Sequence, residues 1–366
     1  MRPETAAALS MADFPPGLIP TGVVFLAPLV AFGVSLGGVW LLRQGRIGPL
    51  RILDEPNARS LHATPVPRTG GVGVLLGVAV GLALVLPWWW VGGALWPALA
   101  TLLLASISLL DDRRHVPARY RLAAQLAVAL LLYLGGAAWL APGLPGLEHL
   151  RLADWAVAPL TLVFIVWMTN LYNFMDGMDG LAGGMAVFGF GALALVGFVG
   201  DAPDYGVAAA VIAAAAGGFL LHNLPRAGIF LGDVGSAVLG FWAAGMLLWG
   251  AGRGLFPLWV GLLVFSPFLV DATWTLLRRL VRGAPVWRAH REHHYQRLVL
   301  AGWSPRRTLL WAYVLMAAAA ASALAARGAS AAEQWLLLAA WAGLYGLVHL
   351  RVDLVERAQT DTARQP

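Results

Sequence analysis

Residues 161–198 read TLVFIVWMTNLYNFMDGMDGLAGGMAVFGFGALALVGF, and they place a short polar stretch between two apolar runs. An apolar run of about 20 residues can cross a bilayer as a helix. The polar stretch, residues 173–184, carries the carboxylates Asp176 and Asp179. Ionisable residues within a membrane bundle usually serve a function. The stretch therefore predicts a membrane bundle with a chemical site at one of its surfaces.

The composition agrees with a membrane bundle. Of the 366 residues, 59% are apolar and 12% are charged, whereas a soluble domain carries about 25% charged residues. We therefore expect an all-α, polytopic integral membrane bundle of about 11 transmembrane helices that forms one domain over residues 1–366. The predicted spans are about 21–42, 70–87, 93–110, 121–140, 157–172, 181–200, 207–222, 234–251, 256–277, 308–326 and 332–350.

The arginines set the expected orientation, because positive residues collect in cytoplasmic loops. The chain has 25 basic residues, all arginine, and 21 of the 25 fall on the side reached after the first span. The exceptions are Arg2, Arg151, Arg253 and Arg327. We therefore expect an outside N-terminus, a cytoplasmic C-terminus and an active site on the cytoplasmic face, where every polar motif falls.

The first acidic motif is the pair Asp111 and Asp112 in LLDDRRHVPARYR. Adjacent carboxylates repel one another unless a cation or a proton lies between them. The alternative is a solvated helix end whose charge is balanced by Arg113 and Arg114.

The second acidic motif is NLYNFMDGMDGLAGG, in which Asn173, Asp176 and Asp179 recur every three residues. Amide and carboxylate oxygens are hard ligands that suit Mg²⁺. Gly177 and Gly180 allow the backbone to approach a ligand closely. An EF-hand would need ligands at alternate positions and a final Glu, which does not follow. A plain acidic loop at the membrane surface is the other alternative.

Asp233 stands at the predicted start of a span in FLGDVGSAVLGF, residues 230–241. The N–H groups of residues 232–236 can form an anion cradle at a helix N-terminus, but Asp is also a favoured N-cap. One carboxylate does not easily cap a helix and bind a metal. We favour metal binding because the other acidic motifs face the same side.

The segment HREHHYQRL, residues 290–298, carries His290, His293 and His294. Two of these histidines have the i, i+4 spacing of HExxH zinc helices, but Glu292 stands one position too late. We favour a cluster that contacts phosphate, with a solvated basic loop as the alternative. The segment DEPNARSLHATPVPRTGG offers Arg59, His62 and Arg68, although an arginine-rich cytoplasmic loop is expected from topology alone.

Together these motifs resemble one family. The order DxPxxRxxHxxPxPRxGG, DD, NxxNxxDGxDGLA, FxGDxGS and a histidine-rich loop is similar to that of the polyprenyl-phosphate N-acetylhexosamine-1-phosphate transferases, of the bacterial glycosyltransferase family 4 type. The motifs span residues 54–298, and residues 299–366 hold two further spans and a tail. The resemblance is specific because five motifs occur in matching order.

The resemblance implies a role for each matching position. Asn173 and Asp233 are implied to bind Mg²⁺, with Mn²⁺ as a substitute. The implied catalytic residues are Asp111, Asp112, Asp176 and His290. The implied substrate-binding residues are Arg59, His62, Arg68, Asp179, Phe230, His293 and His294.

The implied reaction transfers an N-acetylhexosamine-1-phosphate from a UDP-sugar to undecaprenyl phosphate, which gives undecaprenyl-diphosphate sugar and UMP and starts a cell-envelope glycan. The HxxHxYQRL form is more similar to the O-antigen branch than to the phospho-MurNAc-pentapeptide transferases of peptidoglycan synthesis, which stay the alternative. A transporter or a phosphatase acting on lipid diphosphates is the rival class. Membrane lipid and a homodimer are expected partners, nucleic acid is not, and the expected location is the inner membrane, multi-pass.

Overall fold

The computed structural model describes residues 19–55, 64–86, 91–114, 116–147, 149–285 and 290–362, so Arg59 and His62 lie outside the described residues. The described part is almost entirely helical, which confirms the all-α membrane bundle. Its helices are α1 Thr21–Arg43, α2 Gly70–Ala83, α3 Val91–Arg114, α4 Ala118–Leu134, α5 Asp154–Phe174, α6 Leu181–Val199, α7 Pro203–Asn223, α8 Asp233–Gly252, α9 Leu258–Val264, α10 Ser266–Val281, α11 His294–Leu300, α12 Pro305–Ala326 and α13 Ala331–Thr362.

Among the described residues, eight helices are long and apolar enough to cross a membrane, and nine if the bent pair α9 and α10 counts as one span. Ten of the eleven predicted spans coincide with one helix each, but α2 has 14 residues and α4 has 17. These two are shorter than a typical span, so the count of 11 stays a prediction.

The predicted span 256–277 is divided in the structure. Helices α9 and α10 meet at an angle of 85°. Pro267 stands at the first turn of α10 and has no N–H to continue the ladder of α9. After the bend, α10 packs beside α5 and α12.

Helices α5 and α8 pack closely and bring the two acidic motifs together. A Cβ at Gly240 of α8 would lie 2.5 Å from the carbonyl oxygen of Met168 on α5. Small residues permit such close approach between membrane helices. The C-terminus of α5 and the N-terminus of α8 therefore lie side by side at one end of the bundle.

A short antiparallel hairpin, which the sequence did not predict, joins the same end. Its strands are β1 Leu53–Asp54 and β2 Val66–Pro67, with Leu53 opposite Pro67. After β2 the backbone pairs with the segment that precedes α8: the N–H groups of Gly70 and Gly71 donate to the carbonyls of Phe230 and Leu231. The hairpin therefore places Arg68 beside the start of α8.

Candidate active site

The N-terminus of α8 is closed by a carboxylate from another helix. The oxygens of Asp112, at the end of α3, accept hydrogen bonds from the backbone N–H groups of Asp233 and Val234, each at 3.2 Å. Gly232 precedes them with φ of 74°, and a Cβ there would lie 2.0 Å from the carbonyl oxygen of Arg68. The predicted anion cradle is thus filled by Asp112, and the Asp233 carboxylate is not needed as a cap.

Arg68 connects three of the acidic side chains. Its guanidinium lies 2.5 Å from Asp112, 3.6 Å from Asp54 and 3.7 Å from Asp233. The side chain of Asp112 is fully buried, and a buried carboxylate needs such partners. The geometry gives Asp112 the task of holding α3, α8 and Arg68 together.

Asp111 has partners of its own. Its carboxylate accepts from the backbone N–H of Val116 and from the guanidinium of Arg121, both at 2.7 Å. It also interacts directly with the carboxyl group of Asp233. The alternative in which Arg113 and Arg114 balance the pair is wrong, because the partners are Arg121 and Arg68 instead.

Asn173 occupies the last turn of α5 and faces α8. Its side-chain oxygen accepts a hydrogen bond of 2.7 Å from the hydroxyl of Ser236, which stands one turn after Asp233. The structure therefore brings Asn173 and Asp233, the two predicted metal ligands, to one place.

Asp176 follows α5 in the segment 175–180, which we call the acidic loop. Burial, followed by the nearby carboxylates of Asp233 and Asp112, raises the pKa of Asp176 to about 8 against the opposing effect of Arg68. The carboxylates near Asp176 therefore outnumber the arginine that could neutralise them. A bound cation is favourable under this condition, because it stabilises the ionised carboxylates.

The oxygen donors fit a hard divalent cation. Among the described residues, no three acidic or histidine side chains converge as a complete metal site. Mg²⁺ is commonly held by one or two carboxylates together with substrate phosphates and water. The amide of Asn173 and the carboxylates of Asp233 and Asp176 are suited to that incomplete shell.

Asp179 and Phe230 are placed by the loop between α7 and α8. The carboxylate of Asp179 accepts from the backbone N–H of Ala227 at 2.9 Å. Phe230 is partly exposed, and its backbone is paired with Pro67 and Gly70. Both residues therefore border the site, and their predicted contact with substrate stays a prediction.

The three histidines do not behave as one phosphate-binding cluster. Burial, followed by the neighbouring charges of His293 and Arg279, lowers the pKa of His290 to about 4, so this ring is uncharged at neutral pH. His293 is 2% exposed, and its Nδ1 lies 3.3 Å from Asp271. The ring nitrogens of His294 lie 3.1 Å from Asp271 and 2.7 Å from His349. The rings of both histidines are thus engaged with Asp271 or His349 in this arrangement, and their predicted contact with phosphate stays a prediction.

Sequence reasoning missed Asp271, the carboxylate that gathers these histidines. A signal was present, since an acidic residue inside a predicted span is a functional candidate by default. It missed Ser236 and Tyr295 for a different reason, because only the fold brings them to Asn173 and to the acidic loop.

Comparisons with known proteins agree with the motif order. The sequence model of the family described as glycosyl transferase family 4 matches residues 94–251. The chain is 34% identical to the decaprenyl-phosphate N-acetylglucosaminephosphotransferase of Mycobacterium tuberculosis over 73% of this chain and 75% of that protein. It is 29% identical to a probable undecaprenyl-phosphate N-acetylglucosaminyl 1-phosphate transferase of Bacillus subtilis, over 78% of this chain and 81% of the relative. It is 26% identical to the undecaprenyl-phosphate alpha-N-acetylglucosaminyl 1-phosphate transferase of Escherichia coli, over 78% of this chain and 80% of the relative.

Proposed function

Because the chain belongs to glycosyl transferase family 4, among the polyprenyl-phosphate N-acetylglucosamine-1-phosphate transferases, we propose that it transfers N-acetylglucosamine-1-phosphate from UDP-N-acetylglucosamine to undecaprenyl phosphate. The products are undecaprenyl-diphosphate N-acetylglucosamine and UMP. The observation that carries the proposal is the meeting of Asp112, Asp233, Asn173 and Arg68 at one end of a membrane bundle.

In this reaction an oxygen of the lipid phosphate attacks the phosphorus that bears the sugar. The bond from that phosphorus to the bridging oxygen breaks, UMP leaves, and the sugar C1–O bond stays intact. The lipid phosphate needs little activation, because the second pKa of a phosphate monoester is about 6. We favour this single displacement over an aspartyl-phosphate route, since the carboxylates of Asp111 and Asp112 are occupied by backbone N–H groups and arginines.

Mg²⁺ is the proposed cofactor, with Mn²⁺ as a substitute, and Asp233 and Asn173 are its proposed ligands. A bound divalent cation would lower the repulsion between phosphates and stabilise negative charge on the leaving group. Arg68 contributes a fixed positive charge 3.7 Å from Asp233. Asp112 keeps that arginine and the start of α8 in place.

An apolar cavity beside the acidic loop supports a lipid acceptor. It has a volume of about 890 Å³ and is lined by α10, α11, α12 and α13. Met175, the first residue of the acidic loop, and Leu181, which follows the loop, line this cavity, as do the exposed Arg307 and Arg351. We assign the isoprenoid chain to this cavity, with its phosphate directed to the acidic loop.

The proposed orientation follows the arginines. The site end of the bundle carries the arginine-rich loops, so we place it in the cytoplasm, where UDP-sugars are found, in the inner membrane of a bacterium. The product then starts a cell-envelope glycan. Its assignment to an O-antigen rests only on the HHYQRL form of the histidine segment. A phospho-MurNAc-pentapeptide substrate is less favoured because the relatives above are named for N-acetylglucosamine.

The test is a substrate panel. Purified protein in detergent is incubated with Mg²⁺, undecaprenyl phosphate and one UDP-sugar at a time, and UMP is measured. We expect UMP release with UDP-N-acetylglucosamine only when the lipid is present. If UMP were released with UDP-MurNAc-pentapeptide and with no other UDP-sugar, the result would favour peptidoglycan synthesis. Release of inorganic phosphate without a UDP-sugar would indicate a phosphatase.

A further inference from the structure

Asp271 on α10 holds the start of α11. The residue is 7% exposed, and both of its carboxylate oxygens accept the backbone N–H of His294 at 3.0 Å. The hydroxyl of Thr275 donates to the same carboxylate at 3.2 Å, and the Nδ1 atoms of His293 and His294 lie 3.3 and 3.1 Å away. A buried carboxylate with this many partners fixes the elements that supply them.

The contacts continue from α11 into α13. The Nε2 atom of His294 lies 2.7 Å from Nδ1 of His349, so one of the two nitrogens carries the shared proton. The His349 ring also packs edge-to-face on Trp274 of α10, with ring centres 4.6 Å apart. Asp271, His294 and His349 thus form a continuous chain across three helices, which we call the carboxylate–histidine chain.

The other face of α11 presses on the acidic loop. A Cβ at Gly177 would lie 2.2 Å from the hydroxyl oxygen of Tyr295. That hydroxyl is buried and has no hydrogen-bond partner among the described residues. Gly177 directly follows Asp176, so a shift of α11 would displace the loop that carries this carboxylate.

We propose that the carboxylate–histidine chain of Asp271, His294 and His349 positions the acidic loop for the transfer reaction. The chain holds the start of α11, and α11 in turn holds residues 175–180 beside Asp233 through Tyr295. All three residues also line the cavity that we assign to the isoprenoid chain, but in the proposed role they act through α11 and not by contact with the reacting phosphates. The inference rests on the proposed function, which it deepens by adding α10 and α13 to the scaffold of that site.

Activity tests the proposal with two substitutions at the exposed end of the chain. His349→Phe keeps a ring against Trp274 but removes the hydrogen bond, whereas His349→Gln keeps a hydrogen-bonding group. We expect kcat for UMP release to fall about tenfold to 100-fold in His349→Phe, as for other partners that orient a site. KM for the UDP-sugar should change less than about threefold, and His349→Gln should keep most of the activity.

A matched control separates positioning from general damage. Asp204 is paired with Arg253 at 2.6 Å, remote from the site, so Asp204→Asn makes the same chemical change as Asp271→Asn without touching the chain. Asp271→Asn should lower kcat as His349→Phe does, and Asp204→Asn should not. Equal losses in the two Asp variants, or equal activity of the Phe and Gln variants, would overturn the proposal.

A second measurement needs no substrate. Met178 in the acidic loop is 7% exposed, and the chain contains no cysteine, so Met178→Cys supplies a single thiol. We expect maleimide to label this thiol at least about tenfold faster when Asp271→Asn is added, because local opening exposes it. Unchanged labelling would overturn the positioning role. Faster labelling after Asp271→Asn, found together with a wild-type chain that releases no UMP, would contradict the proposed function and leave the positioning of the loop standing.

Discussion

At the scale of single residues, the groups that contact each acidic side chain of the site indicate its role. Asp112 is buried against Arg68 and the first N–H groups of α8. This arrangement leaves the carboxylate of Asp233 uncommitted to capping, although Asp is a common N-cap. The sequence alone allows Asp233 to be a helix cap or a metal ligand. The contact with Asp112, 121 positions away, makes the capping role unnecessary.

The proposed metal ligands give the first prediction. Asp233→Asn should lower turnover roughly 10²- to 10³-fold, a loss similar to that of one preorganised group that stabilises transition-state charge, because the variant holds the cation less tightly. Asn173→Ala should lose activity as well, but excess Mg²⁺ should restore part of it, because a neutral ligand contributes less to cation affinity than an anionic one. Initial rates over a Mg²⁺ titration measure both effects. More than half of wild-type activity in Asp233→Asn would show that the metal assignment is wrong.

The raised pKa of Asp176 gives the second prediction, which concerns stability as a function of pH. Without a cation, its pKa of about 8 exceeds the ordinary value of 3.8, so the folded state binds more protons than the unfolded state between these values. The free energy of unfolding therefore falls as pH rises through this window. Mg²⁺ binds the ionised site and should offset the loss, so the increase in melting temperature caused by Mg²⁺ should be larger at pH 8.5 than at pH 6. Asp176→Asn should remove this pH dependence, and an equal Mg²⁺ effect at both pH values would contradict the assignment.

At the scale of elements, the apolar runs predicted the long helices because hydropathy alone determines where a chain can cross a bilayer. Hydropathy did not predict the three features that shape the site, which are a bend, a short helix and a hairpin. The bend between α9 and α10 depends on Pro267 inside an apolar run. Helix α11 has seven residues, which are too few for a helical period to be recognised. The hairpin β1–β2 has two residues in each strand, which is too short for an alternation pattern to detect.

Gly232 offers a test of how the start of α8 is built. Gly232→Ala should lower both activity and melting temperature, because its Cβ would collide with the backbone of Arg68. Gly254→Ala is the control, since Gly254 has a similar φ of 69° but open space around it. The control should lose only the backbone strain of about 1–2 kcal/mol. Equal losses in the two variants would show that the contact with Arg68 is unimportant.

At the scale of the whole molecule, the contacts gather all the acidic motifs at one end of the bundle. The order of the motifs along the sequence identified the family, and the comparisons confirmed it. The contact between His294 and His349 was not predictable, because it joins residues of two helices that lie 55 positions apart in the sequence.

The orientation of the bundle is a prediction at the same scale. Single cysteines can be introduced at Arg282, at the end of α10, and at Ala331, at the start of α13; both positions are exposed. We expect a membrane-impermeant maleimide added to intact cells to label Ala331→Cys and to leave Arg282→Cys unlabelled until the cells are opened. The reverse pattern would place the site outside the cell and contradict a cytoplasmic UDP-sugar as donor.

The central claim is that this chain moves a sugar together with its phosphate onto a lipid phosphate. The most direct measurement uses UDP-N-acetylglucosamine labelled with ³²P in the phosphate that bears the sugar, incubated with the protein, Mg²⁺ and undecaprenyl phosphate. We predict that the label enters the lipid fraction as a diphosphate and that unlabelled UMP is released in equal amount, with neither event in the absence of the lipid. Label recovered in free UDP would show that the sugar alone was transferred, and label recovered in free N-acetylglucosamine-1-phosphate would show that the diphosphate was hydrolysed. Either result would contradict the claim.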